Sequence, residues 1–227
     1  MHSPAGACYQ ERMAKRAARA RPKRRSTYHH GRLREALLES AERMLDAEGP
    51  EAVNVREAAR QAGVSPGAPF RHFASRTALL TGVAERAMRR FRNEIARGEA
   101  SVSRDDPPAR LAALGRSYVR WALRHPEQFR VIATRSQIDF DGSPTLRRDN
   151  DAVRALVRSI VVDGQARGDF RAADPDLVEL FAKALSYGLA RMFVDGHFPQ
   201  WGVPQSRAQA AIERVLDLFG ELLRPSH

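Results

Sequence analysis

The chain of 227 residues has little cysteine and few aromatic residues, and it has no long hydrophobic run. A single cysteine, Cys8, excludes an intrachain disulfide and any zinc site built from paired cysteines. No apolar run approaches the ~18 residues of a transmembrane helix, and the N-terminus lacks the apolar segment of a secretory signal. The 43% of hydrophobic residues is enough for a core. We therefore expect a cytoplasmic protein with no membrane partner.

Sequence patterns for catalysis and for metal binding are also missing. The string Gly63-Val64-Ser65-Pro66-Gly67 has the spacing of a hydrolase nucleophile elbow, but that elbow follows a strand and uses the backbone N–H of the residue after the serine. Here that residue is Pro66, which has no N–H. The seven histidines form no H-E-x-x-H motif, and no glycine-rich phosphate loop occurs. We expect a protein that is not an enzyme and that binds no metal ion or cofactor.

Positive charge, in contrast, is abundant and concentrated at one end. The formal net charge is +11, and residues 1–32 contribute +8 of it through nine basic residues and one acidic residue. A basic arm on a nearly neutral body indicates a polyanionic partner, either nucleic acid or an anionic membrane surface. Residues 1–28 have no apolar face and are expected to form a disordered arm. A solvated tail that only aids solubility is the alternative that charge leaves open.

Helical periodicity of the apolar residues begins near Gly31, and no segment alternates with period two. In residues 29–98 we expect four helices. The first ends at Gly49-Pro50, and the others begin at capping residues, which are Asn54, Ser65 and Ser75.

After a polar linker, residues 105–227 are expected to form a larger helical domain. Glycine and proline divide it into segments. The expected helices are 109–124, 126–137, 145–167, 175–195 and 205–223.

The segment 54–73 has the pattern of a helix-turn-helix. Gly63 supplies the positive φ that the turn needs, and the small Ala59 lets the two helices approach closely. In this motif the second helix enters the major groove with its N-terminus first, where free N–H groups favour phosphate. The exposed face of this helix carries Arg71 and His72. A short corner between two helices of an unrelated bundle is the alternative.

Several ordered strings within residues 28–91 occur together: Tyr28-His29-His30-Gly31-Arg32-Leu33-Arg34, Glu48-Gly49, Val55-Arg56-Glu57-Ala58-Ala59, Ala62-Gly63-Val64-Ser65, Phe70-Arg71-His72-Phe73 and Arg76-Thr77-Ala78-Leu79-Leu80. They resemble the DNA-binding domain of the TetR family of transcriptional regulators. The resemblance implies an all-α protein with a small three-to-four-helix DNA-binding domain and a larger helical domain for ligand binding and dimerisation. The C-terminal part is similar to a TetR branch with a Trp-His-Gly signature, here Ser186-Tyr187-Gly188.

The resemblance also implies which residues contact DNA. Asn54 would cap the second helix, Arg56 would reach a phosphate or a base edge, and Arg76 would grip the DNA backbone. Phe70 stands where the family usually has a phosphate-binding tyrosine, so that contact is lost or replaced by Arg71. The expected DNA-binding residues are Lys23, Arg24, Arg25, Arg32, Asn54, Arg56, Ser65, Gly67, Ala68, Phe70, Arg71, His72, Arg76 and Thr77.

Aromatic residues in the C-terminal part are expected to be mostly core, but the resemblance implies that some line a cavity between the helices. The cavity would bind a small, mainly apolar effector, with Gln137 or Arg135 as polar anchors. The expected lining residues are Tyr118, Trp121, Phe129, Gln137, Phe140, Phe181 and Tyr187.

Residues 175–195 and 205–223 carry more apolar residues than one core needs, which predicts a homodimer with a four-helix interface. A dimer would place two recognition helices ~34–36 Å apart, as two successive major grooves require. We expect a regulator, by family habit a repressor, that binds a near-palindromic operator in double-stranded DNA and is released by the effector through helix 76–97. The alternative is an architectural DNA-binding protein without an effector.

Overall fold

The computed structural model describes residues 26–65 and 67–225, with side chains from residue 32 onward. Within these ranges the chain forms α-helices joined by turns and short 3-10 helices, and it contains no strand, which confirms the predicted all-α fold. The α-helices are α1 (Ser26–Glu48), α2 (Val55–Gln61), α3 (Arg76–Ala100), α4 (Pro107–Arg124), α5 (Pro126–Ala133), α6 (Pro144–Arg167), α7 (Pro175–Val194) and α8 (Gln205–Leu223).

Capping side chains begin most of these helices. Asn54 accepts a hydrogen bond from the backbone N–H of Glu57 at 2.8 Å, and Ser75 accepts one from Ala78 at 3.1 Å, so both predicted caps are confirmed. Helices α4, α6 and α7 share a second arrangement, in which a capping Asp or Ser precedes a proline at the first helical position. A proline costs nothing there because the N–H it lacks would have no partner within the helix.

Helix α1 begins earlier than predicted. The sequence predicts a disordered arm up to residue 28, but α1 includes residues from Ser26. Once a helix is nucleated, each added residue gains one backbone hydrogen bond, and no proline lies between Pro22 and Pro50 to stop it. The apolar periodicity begins near Gly31, so it does not indicate the helical residues before it. Residues 1–25 lie outside the described ranges.

The predicted recognition helix over residues 65–73 is wrong in the part that the structure describes. Only one 3-10 turn forms, Pro69–Arg71, and no side chain caps it. An α-helix capped by Ser65 would need the N–H of Pro69 to bond to the Ser65 carbonyl, and proline has none. The Ser65 carbonyl accepts instead from Ala68, at 3.1 Å, in a tighter turn.

The predicted helix 126–137 is also divided. Helix α5 ends at Ala133 because Thr134 leaves the helical region, with φ −99° and ψ 84°. A separate 3-10 turn, Arg135–Gln137, follows it. The bounds of α6, α7 and α8 lie within one residue of the prediction.

Helix α3 packs against both halves of the chain. It contacts α1 on the N-terminal side and α4, α5 and α6 on the C-terminal side. Where it crosses α1, a Cβ added at Gly82 would lie 2.9 Å from Leu38 Cδ2 and 3.0 Å from Phe73 Cε1. Leu38 and Phe73 are buried, so only glycine permits this close approach.

We therefore expect Gly82→Ala to destabilise the protein by ~1–3 kcal/mol, because overpacking a buried contact forces neighbours off their rotamers. Gly220→Ala is the matched control, since a Cβ there meets nothing within 4 Å. This control should stabilise α8 by up to ~1 kcal/mol, the helix-propensity difference. Urea denaturation of both variants at one protein concentration checks the opposite signs, and equal midpoints would contradict the packing argument.

Candidate DNA interface and internal cavity

The helix-turn-helix corner is held by backbone and side-chain hydrogen bonds. The Asn54 amide donates to the Ala52 carbonyl at 3.2 Å while its oxygen caps α2. After α2, Gly63 adopts φ 68°, as predicted, and the next N–H, that of Val64, donates to the Ala59 carbonyl at 3.1 Å. The turn is therefore tight, and it fixes the direction in which the following segment leaves α2.

The segment after this turn presents mostly exposed residues. Phe70 is 45% exposed and Arg71 is also exposed, whereas Phe73 is buried. The N–H of Ala68 bonds within the turn, so it is not available to a phosphate as expected. Of the other predicted DNA-binding residues, the structure places Arg32, Asn54, Arg56, Ser65, Gly67 and Thr77 at exposed positions and His72 at a half-buried one. Lys23, Arg24 and Arg25 lie outside the described ranges.

Two arginines of this surface carry uncompensated charge. Within the described residues, Arg56 and Arg71 have no carboxylate at ion-pairing distance. Arg60, in contrast, donates two hydrogen bonds to Glu57, at 2.8 and 2.6 Å. These bonds, together with one from Gln61, lower the pKa of Glu57 to about 2. The charge of Arg60 is thus balanced locally, and those of Arg56 and Arg71 are not.

Arg76 has a different place from the one expected. Its guanidinium donates to the carbonyls of Val53 at 3.0 Å and Pro50 at 2.7 Å, and it forms an ion pair with Glu51 at 3.3 Å. These contacts tie the first turn of α3 to the turn before α2. Arg76 therefore orients the corner rather than extending from it, whereas its neighbour Thr77 is exposed.

A cavity of about 500 Å³ lies among the helices of the C-terminal part. Four of the predicted lining residues border it, namely Tyr118, Phe129, Phe140 and Tyr187, and so does the predicted anchor Arg135. Two aromatic rings of its wall contact each other edge to face. The rings of Phe91 and Tyr118 are 5.0 Å apart and nearly perpendicular, an arrangement that aromatic pairs favour.

Three predicted lining residues do not border the cavity. Trp121 is 2% exposed and packs behind the wall against Phe91, with ring centroids 5.1 Å apart. Gln137 turns away and donates to Glu51 at 2.6 Å. Phe181 is half exposed on the outside of α7. Sequence periodicity gives a helical face but does not show whether that face meets a cavity, a neighbour or solvent.

Lys183 is one of several cavity residues that the sequence analysis missed, and it is the one with an ammonium group. It lies one helical turn before Tyr187 and one turn after Glu179, and all three border the cavity. The i, i+4 spacing from Tyr187 could have found it. Its ammonium donates to the Tyr118 hydroxyl at 3.0 Å and lies 4.7 Å from the centre of that ring.

Burial away from bulk water, and then the nearby charge of Arg135, lower the pKa of Lys183 to about 8. Lys183 is nevertheless an exposed residue of the cavity wall, so its ammonium keeps part of its hydration. Burial raises the pKa of Tyr118. Tyr118 therefore stays protonated at neutral pH and can donate a hydrogen bond.

Polar contacts join the cavity wall to the N-terminal helices. In the segment 135–140, Arg135, Ile138 and Phe140 border the cavity. Between them, Gln137 reaches Glu51, and the Asp139 N–H donates to the Thr81 hydroxyl at 2.9 Å. A second junction is Arg90, which pairs with Glu42 at 2.9 Å and donates to Gln128 at 3.3 Å.

The apolar residues of α7 and α8 divide into two sets. Leu189, Ile212, Leu216, Phe219 and Leu223 are buried in the chain's own core. A second set stays exposed on the outer faces of the two helices, and we call it the outer apolar face. Its members are Leu177, Leu180, Phe181, Leu218 and Leu222, of which Leu180 also borders the cavity.

Other classes of site find no support in the described ranges. A helix, α2, precedes Ser65 where a hydrolase elbow would have a strand. In the same ranges, no group of His, Cys, Asp or Glu is arranged to hold a metal ion, and none of the helices is long and apolar enough to span a membrane.

Comparison with known proteins places both parts of the chain. Residues 37–83 match the family model of bacterial regulatory proteins of the tetR family. Residues 111–224, half of the chain, match that of a tetracyclin repressor-like C-terminal domain. Curated protein sequences give no significant match.

Solved structures agree with this placement. A protein of unknown function from Rhodococcus sp. RHA1 is 31% identical over 88% of this chain and 100% of its own, with a TM-score of 0.74. A regulatory protein in the tetR family from Rhodococcus RHA1 shares the fold at 19% identity, a TM-score of 0.65 and coverage of 86% and 98%. The ketosteroid transcriptional regulator KstR2 of Mycobacterium tuberculosis does so at 21% identity, a TM-score of 0.60 and coverage of 85% and 95%. The chain therefore belongs to the TetR family of DNA-binding transcriptional regulators.

Proposed function

We propose that the protein is a homodimeric repressor whose affinity for a near-palindromic operator falls when a small, mostly apolar molecule occupies the cavity. The observation that carries this proposal is the course of α3. Its first turn follows the exposed corner, and its later turns supply Met88, Phe91 and Ile95 to the cavity wall. In this proposal residues 29–98 bind DNA, and residues 105–227 hold the effector and the dimer interface. KstR2, the regulator named for ketosteroids, shares the fold, which agrees with an apolar effector.

The DNA contacts divide by chemistry. Arg56 and Arg71, whose charges have no carboxylate partner, bind phosphates or base edges. Phe70 cannot hydrogen-bond a phosphate, so its exposed ring makes apolar contact with the DNA, such as with a thymine methyl group. The basic arm, Lys23 to Arg25, and Arg32 follow the adjacent minor groove. Phosphate contacts supply affinity, and base contacts supply the choice of sequence.

Homodimer formation would cover the outer apolar face. Contiguous exposed apolar residues indicate an interaction site, and a second copy of the chain would pack α7 and α8 into a four-helix interface. Two copies also supply the two DNA-binding corners that a palindrome needs. Covering this face in a dimer would therefore remove apolar surface from water and also bring two DNA-binding corners together.

Release by the effector would work through the segment 135–140 and α3. Ligand contacts on Arg135 or Phe140 would shift Gln137 and Asp139, which bond to the N-terminal helices through Glu51 and Thr81. A ligand changes DNA affinity only if it binds the two conformations with different affinity. These exposed polar contacts are weak individually, so a ligand can rearrange them.

Footprinting on DNA that flanks the gene, with random DNA as competitor, tests the proposal. A repressor should protect a near-palindrome and prefer it to random duplex by ~10³-fold or more. Protection that the competitor abolishes would favour the architectural alternative, in which the basic arm binds any duplex. Loss of the footprint on addition of an effector from a screen would support ligand-controlled release, and unchanged protection across a broad screen would count against it.

Replacing the unpaired arginines should weaken operator binding. We expect Arg71→Ala and Arg56→Ala each to weaken the free energy of operator binding by about 1–3 kcal/mol if the arginine contacts a base. If the arginine contacts a phosphate, the variant should reduce the salt dependence of binding. Arg104→Ala is the matched control, because Arg104 is exposed in the turn after α3, at the opposite end of that helix. Fluorescence anisotropy at several salt concentrations checks this, and equal losses in all three variants would refute the assigned surface.

Charge on the outer apolar face should separate the protomers. Leu177 and Leu222 are 64% and 54% exposed, so glutamate at either position should not disturb the core. We expect Leu177→Glu or Leu222→Glu to raise the dimer dissociation constant by at least about tenfold, or ~1.4 kcal/mol. Val162→Glu, at a 41% exposed position on α6, is the control. Sedimentation velocity distinguishes them, and dimers of unchanged stability in all three variants would place the interface elsewhere.

A further inference from the structure

We infer that the effector is an anion: the cavity suits an apolar molecule with one negatively charged group, such as a carboxylate, that binds between Lys183 and Arg135. This inference rests on the proposed function, because it specifies the chemistry of the ligand that the cavity would hold. It goes further in assigning a charge to that ligand and residues to its recognition.

Most of the cavity wall is apolar. Helix α3 contributes Met88, Phe91 and Ile95, and α4 contributes Leu111 and Leu114. Such a wall favours hydrocarbon, since burying apolar surface is worth roughly 25 cal/mol per Å². It gives a ligand affinity but no orientation. Pockets usually obtain orientation from a few well-placed polar groups, and here those groups are charged.

Five charged residues border the cavity within the described ranges, and the two acidic ones are already paired. Glu179 accepts from Arg154 at 2.6 Å, and Asp176 accepts from Arg158, outside the wall, at 3.0 Å. Lys183 and Arg135 have no carboxylate at ion-pairing distance in the described part of the chain. Among the residues described, the cavity therefore holds two cations without an ion pair, Lys183 and Arg135, of which Arg135 is partly offset by the more distant charge of Asp141.

The two cations act on the same region of the cavity. The charge of Arg135 contributes to the lowered pKa of Lys183, so each disfavours the other's charge. An anion between them would relieve the repulsion and pair two charges whose hydration the cavity wall reduces in part. A neutral ligand would do neither, and a cationic ligand would add to the repulsion.

Hydrogen-bond donors remain for such an anion. The Lys183 ammonium has three N–H groups, and one donates to Tyr118. Tyr118 accepts that bond, so its own hydroxyl proton is available to a ligand oxygen. The Arg135 guanidinium carbon lies over the Phe140 ring, 3.1 Å from its centre, and no hydrogen bond from its N–H groups is present in the described residues, so they can serve a carboxylate. These donors match the acceptors of one carboxylate, with the hydrocarbon against the apolar wall.

The test compares decanoate, decanol and decylamine, which share one hydrocarbon chain and differ in charge. Each displaces the neutral fluorescent dye N-phenyl-naphthylamine from the full-length protein. We expect decanoate to compete at a concentration at least about tenfold lower than decanol does, because hydrogen bonds to charged groups are worth roughly 1.5–3 kcal/mol. Decylamine should compete least well. Equal competition by decanoate and decanol would overturn the inference.

Variants at Lys183 assign the preference to this residue. Lys183→Met keeps the length of the side chain and removes its charge, so the affinity for decanoate should fall about tenfold while that for decanol stays unchanged. Lys183→Arg should retain part of the preference, and Arg104→Ala, outside the cavity, should behave as the wild type. An unchanged decanoate affinity in Lys183→Met would also overturn the inference. Dye affinity itself reports whether each variant keeps the cavity.

The pH dependence supplies a second readout. Lys183 is protonated below its pKa of about 8 and loses that charge above it, so decanoate affinity should fall as the pH rises, by about tenfold between pH 7 and pH 9. Decanol affinity should stay constant. The other charged or titratable groups that border the cavity are Tyr118, Tyr187, Arg135, Arg154, Asp176 and Glu179, and Asp141 acts on Arg135 from outside it. The pKa of Tyr118 is raised by burial, so Tyr118 stays protonated over this range. Decanoate affinity that is constant with pH would contradict the assignment to Lys183.

Failure of this inference is distinguishable from failure of the proposed function. If the neutral dye binds the cavity and the carboxylate has no advantage over the alcohol, only the anionic effector is excluded, and the cavity remains a ligand site. If neither the dye nor any of the three probes binds, the cavity does not hold small apolar molecules. Both the inference and the proposed release by an effector then fail.

Discussion

The close packing of α3 against two sets of helices is the constraint on which the rest of the structure depends. Its N-terminal turn is fixed by the Ser75 cap and by the hydrogen bonds of Arg76 to Val53 and Pro50. Its second turn is so close to α1 that a Cβ at Gly82 would clash with Leu38. Its later turns form the cavity wall. Because protein interiors are packed as densely as crystals, a displacement at one end of α3 has to be accommodated at the other.

Most arginines in the described part of the chain form ion pairs or hydrogen bonds with other groups of the same chain. Arg76 and Arg90 bond to groups that lie far from them in the sequence, and Arg60 pairs within its own helix. Arg56 and Arg71, on the exposed corner, are not occupied in this way. A single exposed pair contributes little to stability, so these pairs matter mainly for the geometry they select.

The same contrast appears inside the C-terminal part. The cavity could have been filled with apolar side chains, but it retains Lys183 and Arg135 without carboxylates. A cation with reduced hydration and no carboxylate costs stability, and the lowered pKa of Lys183 agrees with such a cost. Natural proteins depart from locally favourable arrangements mainly at functional sites. A binding site that discriminates by charge is therefore a consistent explanation for both residues.

The all-α fold, the caps at Asn54 and Ser75 and the bounds of the last three helices are predictable from the amino-acid sequence, because periodicity and local hydrogen bonds are encoded within a few residues. The ordered motifs of residues 28–91 are enough to identify the TetR family. The sequence also identified Tyr118, Phe129, Phe140 and Tyr187 as cavity residues through the family resemblance. Only the tertiary structure decided that Arg76 is engaged with backbone carbonyls, that Gln137 turns to Glu51 and that Trp121 lies behind the wall. The contacts of Arg76 and Gln137 involve partners more than twenty residues away in the sequence. The place of Trp121 depends on whether its helical face borders the cavity or packs against other helices. Helical periodicity specifies neither.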